Sequence, residues 1–245
     1  VQKTEWFEAW FNTPYYHILY KDRNYREAEV FVSNLVCRLD IQPDDHVLDL
    51  ACGKGRHSVF LNKMGLRVTG ADLSINSIEA AQEMENERLH FIRHDMRETI
   101  PGAKFDFVVN LFTSFGYFDD QEDNLRVLHS IHEMLVSEGK LVIDFFNLDR
   151  VVREMKAEEV KTVEGIDFHI AKYFDGKHIF KTITFTDKGK THVYTERVQG
   201  LSRSDFEKLL GLSGFTITDT FGDFQLHPFD QEQSDRLILI ATKNA

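Results

Sequence analysis

Cysteine is nearly absent: Cys37 and Cys52 stand alone among 245 residues. Two thiols make no disulfide framework, which points to a reducing compartment. Basic charge is also short, with 29 lysines and arginines against 40 aspartates and glutamates and a formal net charge of −11. That balance argues against non-specific nucleic-acid binding, although a local basic patch survives an acidic total, and it favours a small-molecule or protein substrate. No apolar run approaches the roughly 18 residues of a membrane span. The aromatic first residues are broken by Glu5, Glu8 and Asn12, and they have neither the basic start nor the apolar centre of a secretory leader. A cytoplasmic protein without a membrane partner is expected. No internal repeat, low-complexity tract or linker marks an independent second domain. A content of 42% hydrophobic and 28% charged residues suits one α/β domain with appendages.

What is present centres on Val47 to Ser74. The apolar run Val47-Leu48-Asp49-Leu50 ends in a turn of small residues, Ala51-Cys52-Gly53-Lys54-Gly55. A helical pattern follows, with Val59, Phe60 and Met64 on its apolar side, then a break at Gly65 and a second strand, Arg67 to Ala71, closing on Asp72. This is a βαβ unit whose glycines let the backbone bend sharply and approach a ligand. Asp72 lies about twenty residues beyond the turn, where a carboxylate accepts the hydroxyl protons of a ribose. A nucleoside ligand is the plain reading. A dinucleotide fingerprint needs a third glycine, but Ser58 holds that position, which disfavours a nicotinamide oxidoreductase. The acid before the glycines, Asp49, suits a ligand's ammonium group instead of a pyrophosphate.

With Asp49, Ala51, Gly53 and Gly55 in the turn and Asp72 after it, the chain resembles the class I S-adenosylmethionine-dependent methyltransferases. Ala51 replaces the family's usual first glycine. The resemblance runs from about Asp44 to Lys243, strongest through Asp95. It implies S-adenosylmethionine as cofactor and a Rossmann-like α/β fold: a seven-stranded, mostly parallel sheet with helices on both faces, an N-terminal helical cap and an antiparallel β insertion. The expected divisions are a cap over 1–42, a cofactor core over 43–159, the insertion over 160–200 and a closing helix and strands over 201–245. As cofactor-binding positions it implies Tyr20, Asp49, Ala51, Cys52, Gly53, Gly55, Asp72, Leu73, Asp95, Met96, Asn110 and Phe112. Asp95 would accept from the exocyclic amine of adenine and Met96 would pack on the ring. The alternative for Asp95 is a loop acid that caps the following turn.

Along the rest of the chain, Trp6, Phe7, Trp10 and Phe11 recur at helical spacing, either as a helix on its own core or as a lid. A long amphipathic helix carries Ala28, Phe31, Val32, Leu35, Val36 and Leu39. After Asp72, Ser74 caps a helix to about Glu85, and Leu89 to Ile92 and Phe105 to Asn110 read as strands. The aromatics from Phe112 to Phe118 follow a strand end, so they either wall the reaction site or pack beneath the next helix. His129, His132 and Glu133 do not follow the His-Glu-x-x-His order and lack a third ligand nearby, so no metal is expected. A helix is expected from about Asn124 to Leu135, ended by Gly139, and Lys140 to Phe146 is a buried strand. From 160 to 200, three alternating runs joined by Asp175-Gly176 and Lys188-Gly189 predict a three-stranded antiparallel excursion. It would cover the acceptor site or form a homodimer contact.

Acceptor motifs are missing. Asn110-Leu111-Phe112-Thr113 replaces the Asn/Asp-Pro-Pro-Tyr pattern, and no Pro-Cys pair supplies a nucleophile. A small-molecule O- or N-methyltransferase is the leading expectation, with Tyr16 and His227 as candidate bases. A non-catalytic protein that binds the cofactor is the rival.

Overall fold

A computed structural model describes residues 5–21 and 25–244. Helices α1 (Trp6–Phe11), α2 (Pro14–Leu19) and α3 (Tyr25–Leu39) precede β1 (His46–Leu50). Then come α4 (Arg56–Lys63), β2 (Arg67–Asp72), α5 (Ile75–Gln82), β3 (Leu89–Arg93), β4 (Phe105–Asn110) and α6 (Gln121–Met134). Next are β5 (Leu135–Phe146), α7 (Leu148–Glu154) and the strands β6 (Glu158–Val163), β7 (Ile166–Phe174), β8 (His178–Asp187) and β9 (Lys190–Gln199). Helix α8 (Arg203–Leu212), β10 (Phe215–Phe221) and β11 (Arg236–Lys243) complete the fold.

Period-two alternation of apolar residues builds a central sheet buried on both faces. Val47, Phe107, Val109, Val142 and Ile238 face one layer, where Phe31, Leu35, Leu61 and Ile78 of α3, α4 and α5 cover them. Leu48, Val108, Leu141, Ile143 and Leu239 face the other, under Val127, Leu128 and Ile131 of α6 and Phe206 and Leu209 of α8. The order is β10-β11-β5-β4-β1-β2-β3. Parallel pairs join β1 to β2 and β4, β2 to β3, and β4 to β5, while β11 runs antiparallel to β5 and β10. This is the seven-stranded, mostly parallel Rossmann-like sheet that the sequence predicts.

The second sheet differs from expectation. It has four strands, β6-β7-β8-β9, not three. The extra hairpin turns at Glu164-Gly165, with φ of 52° and 78°, and Glu is an uncommon residue at positive φ, so the turn carries no Asn-Gly or Asp-Gly signal. Val163, Phe168, Ile170, Ile183 and Phe185 on its inner face form a separate core with Trp10 and Leu19 of the N-terminal helices. Helix α2 also escaped the sequence pattern, although Thr13 caps it and Pro14 opens it. In α4 the buried residues are His57, Ser58 and Leu61, whereas Met64 of the expected apolar side is 41% exposed. Helix α6 passes directly into β5 at Leu135, and the ladder with β4 becomes regular only from Lys140 because of an irregularity between Phe105 and Phe107. His129 is exposed, but His132 is half-buried with its ring edge-on to Phe215 at 5.3 Å.

One buried polar link fastens the second sheet to helix α6 and to the segment after β4. At the end of β9, Gln199 accepts from the Asn124 amide at 2.7 Å and donates to the Phe118 carbonyl at 2.8 Å. Gln199→Leu removes both partners, and each buried group left unsatisfied costs about 1–3 kcal/mol. The melting temperature of this variant should fall by several degrees; an unchanged transition in a thermal scan would show that the link contributes nothing.

Candidate active site

The strand connections leave β1 and β4 in opposite directions, which opens a crevice at their carboxyl ends. Beyond Leu50 the backbone turns through positive φ at Ala51 (64°), Gly53 (56°) and Gly55 (76°). The Ala51 and Cys52 amides both donate to the Ala71 carbonyl, at 2.7 and 3.0 Å. Asp72 closes the arrangement: one carboxylate oxygen accepts from the Gly53 amide and the other from the Ser74 amide, each at 2.8 Å. Burial raises the Asp72 pKa, and these backbone hydrogen bonds oppose the rise.

A cavity of about 370 Å³ occupies the crevice. Ten residues singled out in the sequence line it: Tyr16, Tyr20, Ala51, Cys52, Gly53, Asp72, Leu73, Asp95, Met96 and Phe112. Four others do not. Asp49 shares the strand face of Val47, so its side chain turns under α4 and accepts from the Ser58 hydroxyl at 2.5 Å instead of reaching a ligand. Ser58, at the missing third glycine, thus serves that acid. Gly55 is a packing residue, since an added Cβ would lie 2.5 Å from the Phe91 ring. Asn110 is buried and donates to the Leu50 carbonyl at 3.0 Å, tying β4 to the end of β1. His227 carries a 71% exposed side chain and pairs with Asp223 at 2.7 Å, away from the cavity.

The lining also includes His17, Lys21, Arg56 and His57, which no sequence motif marks, together with Lys54 of the glycine turn. Arg56 and His57 adjoin that turn directly, and that adjacency was the signal available in the sequence. Phe7 and Phe11 line the cavity, so α1 is packed and also borders the crevice. At the nucleoside end, burial opposes ionisation of Asp95, but the hydrogen bonds and charge of Arg97 outweigh it and hold the carboxyl below its usual range. Arg97 also pairs with Asp123 at 3.3 Å and lies 4.7 Å from the Phe118 ring centroid. Burial first, then the charges of Asp49 and Asp72, push the Cys52 thiol up, so it is a small filler and no nucleophile. Among the described residues no group of three or more side chains could hold a metal, and no helix is long and apolar enough to cross a membrane.

The roof is fastened to the second sheet. The Tyr20 hydroxyl donates to Glu196 at 2.7 Å, the Trp10 indole donates to the same carboxylate at 2.7 Å, and Lys181 donates to Tyr20. The wall beyond β4 is strained: Phe112 and Thr113 have φ of 62° and 61°, which costs about 1–3 kcal/mol for each such residue. Buried Asp144 accepts from the Phe112 amide at 2.8 Å, and Arg236 bridges Asp144 and the Thr113 hydroxyl at 2.7 and 2.9 Å.

An open Rossmann-like sheet with a crevice at its switch point is the arrangement in which such folds bind nucleoside ligands. Residues 47–139 match the family model described as a methyltransferase domain. A glycine/sarcosine N-methyltransferase from Aphanothece halophytica is 26% identical over 236 residues, spanning 91% of this chain and 83% of that protein. The structure of an S-adenosylmethionine-dependent methyltransferase from Clostridium acetobutylicum superposes with a TM-score of 0.79 at 17% identity, covering 94% of this chain and 96% of that one. A sugar N-methyltransferase from Streptoalloteichus gives 0.74 at 20% identity, covering 94% and 93%. The chain thus matches a methyltransferase domain over residues 47–139 and has the fold of the S-adenosylmethionine-dependent methyltransferases.

Two predictions separate the roles of neighbouring residues. Gly53 borders the cavity and an added Cβ would meet nothing within 4 Å, so Gly53→Asn, which tolerates left-handed backbone, should fold normally and lose cofactor binding by calorimetry. Gly55→Ala should instead lower the melting temperature, because overpacking costs about 1–3 kcal/mol; the reverse pattern would exchange the roles. Asp49 gives the second. Burial raises its carboxyl from 3.8 to about 6, against the opposing Ser58 hydrogen bond. The unfolded chain ionises near the ordinary value, so from about pH 4 to 6 the folded state holds the extra proton and stability falls as pH rises. Urea titrations across this window should give a flatter slope for Asp49→Asn, and parallel slopes would refute the assignment.

Proposed function

We propose that the enzyme transfers the methyl group of S-adenosylmethionine to the amine nitrogen of a small molecule that also carries an anionic group such as a carboxylate. The charge layout of the cavity carries this reading. Its carboxylates among the described residues are Asp72 and Asp95, whereas Lys54 and Arg56 beside the glycine turn add positive charge and Lys21, also on the lining, pairs with Glu164 at 3.1 Å. A basic lining in a chain of net charge −11 is the local patch that anion recognition requires. The similarity to a glycine/sarcosine N-methyltransferase, named for amino-acid substrates, agrees with that class.

The residues present fit the cofactor. Asp72 retains lone pairs for the ribose hydroxyls while its two backbone donors fix its orientation. Asp95 accepts from the Arg97 amide at 2.9 Å and from its guanidinium at 2.7 Å, and through its remaining lone pairs it would accept from the adenine amine. Met96 and Leu73 would pack on the base, and the bare Gly53 backbone would admit the ligand chain. Ala51, Cys52, Tyr20 and Phe112 complete the cofactor wall. Asp49, Gly55 and Asn110 support that wall from behind. The bound cofactor supplies a methyl group on a positive sulfur, ready for in-line displacement. The chain's own task is positioning, which lowers a barrier by about 7–11 kcal/mol when reacting atoms are held near attack distance. The aromatic roof of Phe7, Phe11, Tyr16 and Tyr20 excludes water from that encounter. The acceptor nitrogen must present a lone pair, and the Tyr16 hydroxyl is the group proposed to hold its N–H.

The test is a methyl-transfer panel of small amino acids, amino sugars and neutral amines, with the cofactor's demethylated product as readout. Carboxylated amines should be turned over best, and Tyr16→Phe should cut kcat at least about tenfold with cofactor affinity constant, because only an interaction with the reacting group is lost. Cofactor binding without transfer to any member of the panel would favour a non-catalytic role, and preference for neutral amines would overturn the anionic requirement.

A further inference from the structure

We propose that the Asp144–Arg236 pair is a positioning device for the cofactor cavity, holding Phe112 and Thr113 in the left-handed backbone that shapes its wall. Two successive non-glycine residues at φ of 62° and 61° are unusual, and for β-branched Thr113 the conformation is a true outlier. Such strain persists only where surrounding structure over-determines it, and it concentrates at ligand sites. Here the over-determination has an identifiable source. Asp144, fully buried in β5, accepts from the Phe112 amide through its carboxylate and from the Thr113 amide through its carbonyl, at 2.8 and 3.0 Å. Arg236 of β11 donates to the other carboxylate oxygen and to the Thr113 hydroxyl. Two adjacent strands thereby grip two adjacent residues.

The grip delivers a side chain to the cavity. Leu111, Phe112 and Ser114 all line it. The Phe112 ring lies 4.6 Å from the Arg56 guanidinium and 5.9 Å from the Phe224 ring, so its place fixes that of a cation on the lining. A buried ion pair is a poor way to gain stability alone, because desolvation offsets its attraction and an apolar pair would serve as well. The three hydrogen bonds that Asp144 and Arg236 make to one strained dipeptide account for the pair better as a geometric constraint.

The test separates positioning from stability, and because it reads cofactor-product binding it does not depend on the acceptor class proposed above. The double variant Asp144→Asn with Arg236→Met leaves no orphan charge and keeps an acceptor for the Phe112 amide. By calorimetry its affinity for S-adenosylhomocysteine should fall about tenfold. Adding Thr113→Gly, which adopts positive φ without strain, should restore most of that affinity although no polar contact returns. Should the double variant fail to fold, Arg236→Lys keeps the charge but cannot span both Asp144 and Thr113, and there Thr113→Gly should raise both melting temperature and affinity. Wild-type affinity in the unclamped variant, or lost affinity that glycine does not recover in either background, would overturn the proposal.

Discussion

A single carboxylate holds the cofactor end of this enzyme together. Asp72 ends β2, yet its oxygens receive amides from the turn after β1 and from the start of α5. Three pieces of backbone are thereby fixed by one side chain, and the crevice between them is fixed with them. Asp49 sits behind the same turn without touching the cavity, and the charge of Asp72 contributes to its raised pKa. Two acids beneath one turn place a negative field where a ligand bearing a sulfonium and an ammonium group would lie, and a bound cation relieves the repulsion between them.

The crevice floor and the tyrosines of its roof rest on different cores. Floor residues belong to the two layers that sandwich the parallel sheet. Tyr16 and Tyr20 of the roof pack against a third cluster in which Trp10 and Leu19 join Phe168, Ile183 and Phe185 of the antiparallel sheet, whereas Phe7 belongs to a core of the parallel sheet and Phe11 packs against both. The insertion and the N-terminal helices are therefore one structural unit, although roughly 140 residues separate them in sequence. Polar ties reinforce it: Tyr15 reaches Asp187, and Lys161 reaches the Leu19 carbonyl. The roof meets the floor chiefly along the aromatic segment after β4, where the Trp6 indole donates to the Tyr117 carbonyl and the β9 amide of Gln199 to the Gly116 carbonyl.

The sequence was most legible where the structure is local. The βαβ unit, the Ser74 cap, the register of Asp72 and the identity of β4 all follow from patterns within a few tens of residues, and each is present. The face of Asp49 was also readable, since strand alternation sets it beside Val47 and away from the ligand. Contacts across long separations were not. Nothing near Tyr20 announces Glu196, 176 residues later, and nothing near Thr113 announces Arg236, 123 residues later. Gly53 and Gly55 read alike in sequence, yet one faces open space and the other Phe91, a distinction that exists only after β3 is paired. The left-handed backbone of Ala51, Phe112 and Thr113 was invisible for the opposite reason: none is the glycine that usually marks such a position.

This contrast between local and distant determinants follows the chemistry. Methyl transfer needs the donor held in one way, so its contacts can be written into a compact run of strand ends. The acceptor varies from enzyme to enzyme, so the surfaces that meet it are built from segments free to change without disturbing the sheet. Here α1 and α2 border the crevice, and the four-stranded insertion backs them through Glu196 and Lys181 without lining the cavity itself. Phe112 stands where the two systems meet, carried by a sheet strand but clamped by side chains from β5 and β11. A floor that could relax there would let the roof settle independently of the donor, and alignment along the attack axis would be lost. Strain in two residues, maintained by one buried ion pair, prevents that relaxation.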